Sequence, residues 1–149
     1  MIKIKVDDKE VRQLLSQLQG KAEDMSPVMR SIAGVMLDAV EENFEKEGRP
    51  TKWKPLSPAT LAQRKREGKD TGKILQKSGQ LAASISTKAT STSAMVGTNK
   101  RYAAIQHFGG KAGRGLKVTI PARPYMLLTD EDVEEIKDVI LRYLKGGES

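Results

Sequence analysis

Among its 149 residues the chain has no cysteine, one histidine, one tryptophan and two phenylalanines. Each scarcity closes off a class of chemistry. Without cysteine there can be no disulfide, no Cys-ligated zinc and no thiol nucleophile. A lone His107 cannot build the His clusters that hold zinc or a two-histidine iron, and no fixed carboxylate partner for a general base is legible beside it. No G-x-S-x-G elbow or S-x-x-K motif accompanies the serines. "GGKAGRG", residues 109–115, is Gly-rich and basic but lacks the spacing and the Lys-Ser/Thr ending of a phosphate-binding loop. No stretch approaches the ~20 apolar residues that span a bilayer. The amino terminus, "MIKIKVDDKE", alternates charge with aliphatic residues instead of carrying an apolar signal core. The expectation is a soluble, intracellular protein without membrane, metal, cofactor or catalytic residues.

What the chain has is charge, in blocks. The formal net charge is +7, distributed as −3 over residues 1–45, +14 over 46–123 and −4 over 124–149. A basic middle between acidic ends favours head-to-tail contact between copies, and also attraction to an acidic surface such as DNA. The acidic run Asp130, Glu131, Asp132, Glu134 and Glu135 needs no metal to explain it, because it opens a helix.

The order of elements predicts an α+β fold in a single domain of 1–149, with long helices packed on a small antiparallel sheet. "IKIKV", residues 2–6, alternates as a strand. Val11, Leu14, Leu15 and Leu18 share a helix face closed by Gly20. Ser26 as N-cap and Pro27 behind it open a helix carrying Val28, Ile32, Val35, Met36, Ala39, Val40 and Phe44, and Gly48 ends it. Ser57-Pro58 repeats that signal for a short helix to about Glu67. "KREGKDTGK" is expected to be mobile. Ser78 is placed to cap a turn carrying Leu81. Ile85–Thr90 and Ala94–Gly97 read as a hairpin, and residues 102–108 as a short helix ended by two glycines. "KAGRG" reads as a flexible loop, Leu116–Ile120 as a strand, and "YMLL" after "PARP" as its continuation. Thr129 caps a last helix that buries Val133, Ile136, Ile140, Tyr143 and Leu144.

"F-x-x-x-G-R-P-x-x-W-x-P-L-x-x-x-T" from Phe44 to Thr60, "KILQKSGQLAASI" from Lys73, "VGTNKRYAAIQHFGG" and "IPARPYMLL" follow one another in order. This series resembles the phage virion morphogenesis family, the tail-completion proteins of Mu-like phages and prophages, over residues 28–145 or so. The resemblance implies a structural neck or tail protein acting in late tail assembly and head–tail joining, made in the host bacterial cytoplasm and placed in the virion tail or neck. It implies no reaction and no cofactor. The partners it suggests are further copies of itself, in a ring, and other phage tail or neck proteins. The family typically shows Gln after its His; "QHF" reverses the two, which argues against a special role for His107. A basic nucleic-acid-binding protein is the alternative, since phosphate neutralisation alone can give affinity, although no reader motif is present.

Trp53 stands between Lys52 and Lys54, with Pro50 and Pro55 just beyond. Prolines deny a segment its ladder hydrogen bonds, so residues 49–77 are expected to form a basic, mobile docking arm with the indole as its anchor. The candidate interaction residues are Trp53, Lys52, Lys54, Arg64, Lys65, Arg66, Lys73, Tyr102, His107, Phe108 and Arg123.

Overall fold

Short polar side chains at helix starts and glycines after helix ends set most of the boundaries seen in the computed structural model, which describes residues 2–3, 8–21, 24–68, 74–75, 80–100, 103–116 and 118–146. The order is β1 (Ile2–Lys3), α1 (Lys9–Gln19), α2 (Ser26–Glu45), α3 (Pro58–Arg66), α4 (Gln80–Ala83), β2 (Ser86–Ala89), β3 (Ala94–Thr98), α5 (Ala103–Phe108), β4 (Gly110–Ala112), β5 (Val118–Ile120) and α6 (Asp130–Leu144). The fold is α+β, with one sheet ordered β1-β3-β2 and a second made of antiparallel β4 and β5. Among the described residues no helix is long and apolar enough to cross a membrane. Contacts divide the chain into two units: residues 3–39, 86–97 and 128–149 form one, and residues 1–2, 40–85 and 98–127 the other.

The first of these units is built from helical stripes. Asp8 caps α1 by accepting the Val11 N–H (3.0 Å), and α1 packs on α6. Val11 and Leu18 are buried from α1, Val28, Ile32, Val35, Met36 and Ala39 from α2, and Ile136, Val139 and Ile140 from α6. Lys137 of α6 is held at its amine by Glu134 (3.0 Å) and Glu10 (3.1 Å), with Asp8 at 3.8 Å. Those hydrogen bonds hold its ammonium above the ordinary lysine range. Thr129 and Asp132 form a reciprocal capping box at the start of α6, where three acidic residues meet the positive end of the helix dipole. The β2–β3 hairpin expected across the Ser/Thr turn runs in register from Ser86↔Gly97 to Ala89↔Ala94.

Several boundaries differ from expectation. The carboxylate that begins α2 is that of Asp24, which accepts the Ser26 N–H (2.9 Å), while Ser26 is already helical. That hydrogen bond lowers the Asp24 pKa. "KAGRG" is not a loop throughout. Its first residues belong to β4, which pairs with β5 from Gly110↔Ile120 to Ala112↔Val118, and Arg114–Leu116 make a 3-10 turn. The strand read over 116–120 is shorter, with Leu116 and Val118 exposed and Ile120 half-buried. "YMLL" is not strand: Tyr125–Leu128 form no ladder. Residues 4–6 of the first strand, residues 69–73 of "KREGKDTGK" and the Ser78 cap lie outside the described residues.

Candidate functional site: an arginine cleft

Most of the described residues of the four quoted segments fall in the second unit. After α2, Gly48 has φ +115°, and a Cβ there would meet the Trp53 backbone nitrogen at 2.5 Å and the Thr51 oxygen at 2.6 Å. Only glycine lets the chain turn back this tightly. The Trp53 N–H then donates to the Glu47 carbonyl (2.8 Å), and the indole lies edge-on to Phe44 with ring centroids 5.9 Å apart. Its Nε1–H donates to the Pro124 carbonyl (2.8 Å). Trp53 is 6% exposed. The expectation of a docking arm anchored by this indole is therefore corrected for residues 49–56: they are pinned to their own unit, and the ring is used up in intrachain packing. The two prolines keep the segment out of helix and sheet, but side-chain and carbonyl bonds from "PARPYM" replace the missing ladder.

Arg123 supplies two of those bonds. Its Nε donates to the Lys54 carbonyl (3.0 Å) and its Nη2 to the Pro55 carbonyl (3.3 Å). Arg49 donates through Nε to Asn43 Oδ1 (2.8 Å) and meets Glu42 through Nη1 (3.2 Å). Asn43, with no exposed surface, donates through Nδ2 to the carbonyls of Tyr125 (2.7 Å) and Leu127 (3.0 Å). Asn43 carries no candidate role in the sequence reading, yet a signal exists. Met36, Val40 and position 43 fall at i, i+4 and i+7, so a polar residue occupies the buried stripe of α2, where it needs partners.

The Tyr125 ring packs on Phe44 (5.1 Å) and its hydroxyl donates to the Ala103 carbonyl (2.7 Å). His107 of α5 stands edge-on to Tyr125 (5.4 Å) and to Phe108 (4.5 Å). Its Nδ1 accepts the Met126 N–H (3.2 Å), which requires a neutral ring with the proton on Nε2. Gly109 (φ +74°) follows, and a Cβ there would meet the Ala122 nitrogen at 2.7 Å. Burial lowers the His107 pKa below its ordinary value. The unfolded chain therefore takes up a proton that the folded chain refuses. Stability contributed by the neutral ring is complete above about pH 6.5 and is lost as the pH falls from there through the lower folded pKa. The melting temperature is expected to drop between about pH 7.5 and pH 5.5. In His107→Asn, which keeps an acceptor but does not titrate, the drop should shrink; equal drops in both proteins would contradict this reading.

Alongside these contacts runs a cleft of about 690 Å³, lined by α3, β5 and the loops carrying Pro55 and Pro121. Lys54, Arg64 and Arg123 contribute three cations, and no carboxylate is among the described lining residues. Leu56, Leu81 and Ile120 supply apolar wall. Arg64 and Arg123 are both more than nine-tenths buried, and Lys54 is exposed. Burial first, and the neighbouring Arg64 charge second, lower the pKa of Arg123.

Of the candidate interaction residues, Lys54, Arg64 and Arg123 meet in this cleft. Lys52, Lys65 and Arg66 are exposed elsewhere in the same unit, as is Phe108 at 68%. Lys73 and Tyr102 lie outside the described residues. Among the described residues no group of three or more histidines and carboxylates could hold a metal ion.

The pattern of the phage virion morphogenesis family matches residues 6–145. The chain is 42% identical to "Mu-like prophage FluMu G protein 2" of Haemophilus influenzae over 97% of each chain. It is 33% identical to "Putative capsid assembly protein G" of Escherichia phage Mu, covering 97% of this chain and 94% of that protein. A second Haemophilus influenzae relative, "Mu-like prophage FluMu G protein 1", is 31% identical over 96% of this chain and 94% of its own. No solved structure matches. With the family pattern matched over most of its length and relatives above 30% identity over nearly all of it, the chain belongs to the phage virion morphogenesis family.

Proposed function

We propose that this protein is a structural tail-completion or neck protein, acting through homo-oligomeric assembly in head–tail joining. The role in phage virion morphogenesis follows from family membership over residues 6–145. Its place at the tail end is supported by the resemblance of "GRPxxWxPL" and "PARP" to tail-completion proteins of Mu-like phages. Self-assembly is supported by charge: a +14 middle between acidic ends offers complementary surfaces on successive copies. Assembly takes place in the host cytoplasm, and the partners are further copies and other tail or neck proteins.

Deleting the coding sequence from the phage or prophage that carries it, followed by induction and electron microscopy, tests this reading. Filled heads and finished tails that fail to join are the expected result. Normal infectious virions would refute it. Absent or malformed heads would instead place the protein in capsid assembly, the wording attached to the phage Mu relative.

The basic middle also favours a second reading, direct binding of DNA. That mode has a steep dependence of affinity on salt, because each neutralised phosphate releases counterions. Affinity for a DNA duplex that barely changes with salt would dismiss it.

A further inference from the structure

We propose that the tip of the β4–β5 hairpin of one copy docks on the exposed stripe of α2 in a second copy. This rests on the homo-oligomeric reading above and assigns the two surfaces that meet. The first observation is a leucine that the chain does not use for its own packing. Leu116 closes the hairpin by donating its N–H to the Gly113 carbonyl (3.1 Å). It does so at φ +54°, in the left-handed region that disfavours a bulky side chain. Gly113 and Gly115 take the same region freely, at φ +80° and +73°. No burial offsets the strain, because Leu116 is 62% exposed. Val118 stands opposite Ala112 in the ladder and is 55% exposed. Its Cγ2 lies against the same turn, 3.4 Å from where a Cβ on Gly113 would be. A strained backbone that holds two apolar side chains in solvent is a knob built for a partner.

The charge around the knob says what that partner is. Lys111 and Arg114 are exposed on the hairpin, and no aspartate or glutamate occurs from residue 71 to residue 129. The complementary surface is acidic, with a recess for an apolar side chain, and α2 carries one. Its exposed residues are Arg30, Gly34, Asp38, Glu41 and Glu45, at i, i+4, i+8, i+11 and i+15, which make a single stripe. Beyond its own helix, a Cβ on Gly34 would meet nothing within 4 Å. No packing contact among the described residues therefore calls for glycine there, and alanine would hold that turn of helix better. The glycine leaves a notch with carboxylates on its C-terminal side. Arg30, on the other side, already interacts with the Asp24 carboxylate.

Other occupants fit the knob less well. Glu131, Glu134, Glu135 and Asp138 are exposed on α6, but no glycine opens a notch in that helix, and Glu134 is engaged by Lys137 (3.0 Å). A DNA backbone would satisfy Lys111 and Arg114 and leave Leu116 and Val118 in water. Because knob and notch lie on different surfaces, the contact is head-to-tail, and repetition closes a ring when the rotation permits.

Two substitutions remove the contact while favouring the monomer. Leu116→Asn replaces the knob by a polar residue that tolerates the left-handed region, and Gly34→Gln fills the notch with a better helix former of no charge. Both variants should melt at or above the native temperature. In sedimentation velocity at low salt, each should nevertheless weaken self-association about tenfold or more. Arg114→Glu and Asp38→Arg should each weaken it too, and the two together should recover most of the loss. Self-association unmoved by Leu116→Asn and Gly34→Gln, or a charge pair no better than either single variant, would overturn this contact and leave the assembly reading standing. Weakening by Asp138→Lys with Gly34→Gln silent would overturn it in favour of α6. A native chain that stays monomeric at every concentration would overturn both the contact and the assembly reading. Salt-steep binding of a short DNA duplex, lost in Arg114→Glu while self-association persists, would assign the hairpin to nucleic acid instead.

Discussion

Asn43→Asp is expected to destabilise the protein by roughly 3–5 kcal/mol, although it exchanges a single amide nitrogen for oxygen and changes almost no volume. Asn43 donates both Nδ2 hydrogens, to the carbonyls of Tyr125 and Leu127, from a site with no solvent access. A carboxylate there has no hydrogens to give. It would set a negatively charged oxygen against two carbonyl oxygens at hydrogen-bonding range, with all three groups buried or nearly so. Arg49 Nε would still meet the other oxygen and offset part of the cost, but Arg49 is already shared with Glu42. Protonation is the remaining escape, and a neutral carboxyl group in place of the amide can donate to only one of the two carbonyls. Equilibrium urea denaturation reads the loss directly as a lower midpoint. The variant should also regain stability as the pH falls toward the range where its new carboxyl protonates, a trend opposite in sign to that caused by His107. An unfolding free energy within about 0.5 kcal/mol of the native value would mean that the Asn43 bridge does not hold this loop in solution.

The contrast between what the sequence discloses and what it hides follows from the range of the interactions. Ser57-Pro58 announces α3, and Thr129 with Asp132 announces α6, because a cap is a bond between residues three apart. The buried stripe of α2 is legible for the same reason, since its period is set by one helix. Trp53 is hidden because the acceptor for its indole, the Pro124 carbonyl, lies 71 positions away, and its immediate neighbours are the lysines and prolines of an exposed loop. "YMLL" misleads in the opposite direction. Its run of apolar residues suits a strand, but Tyr125 and Met126 are buried individually, the backbone being claimed by the Asn43 amide and the His107 ring. The cleft illustrates both cases. Arg64 and Arg123 can be named as candidates from charge, yet only the folded chain shows that they stand beside each other with Lys54.

Trp53→Ala should cost about 3–5 kcal/mol of stability, the range for removing a buried aromatic ring. The ring fills space against Phe44, and its loss leaves a cavity beside a helix end that cannot collapse freely, because Gly48 and the Trp53 backbone are already in tight contact. The Pro124 carbonyl loses its donor at the same time. Trp53→Phe separates the two contributions. It keeps much of the packing and forfeits the hydrogen bond, so its cost should be about 1–2 kcal/mol and clearly below that of alanine. Since this is the chain's single tryptophan, its emission reports on one site. In the native monomer the maximum should lie to the blue of a solvated indole and move to the red in urea, in step with loss of helical circular dichroism. Dilution far below any self-association constant distinguishes burial within the chain from burial at an interface. An indole packed on Phe44 keeps its blue emission on dilution, whereas one buried only by a neighbouring subunit loses it. Red emission in the dilute folded protein, together with an alanine variant of unchanged stability, would restore the docking arm and remove Trp53 from the core.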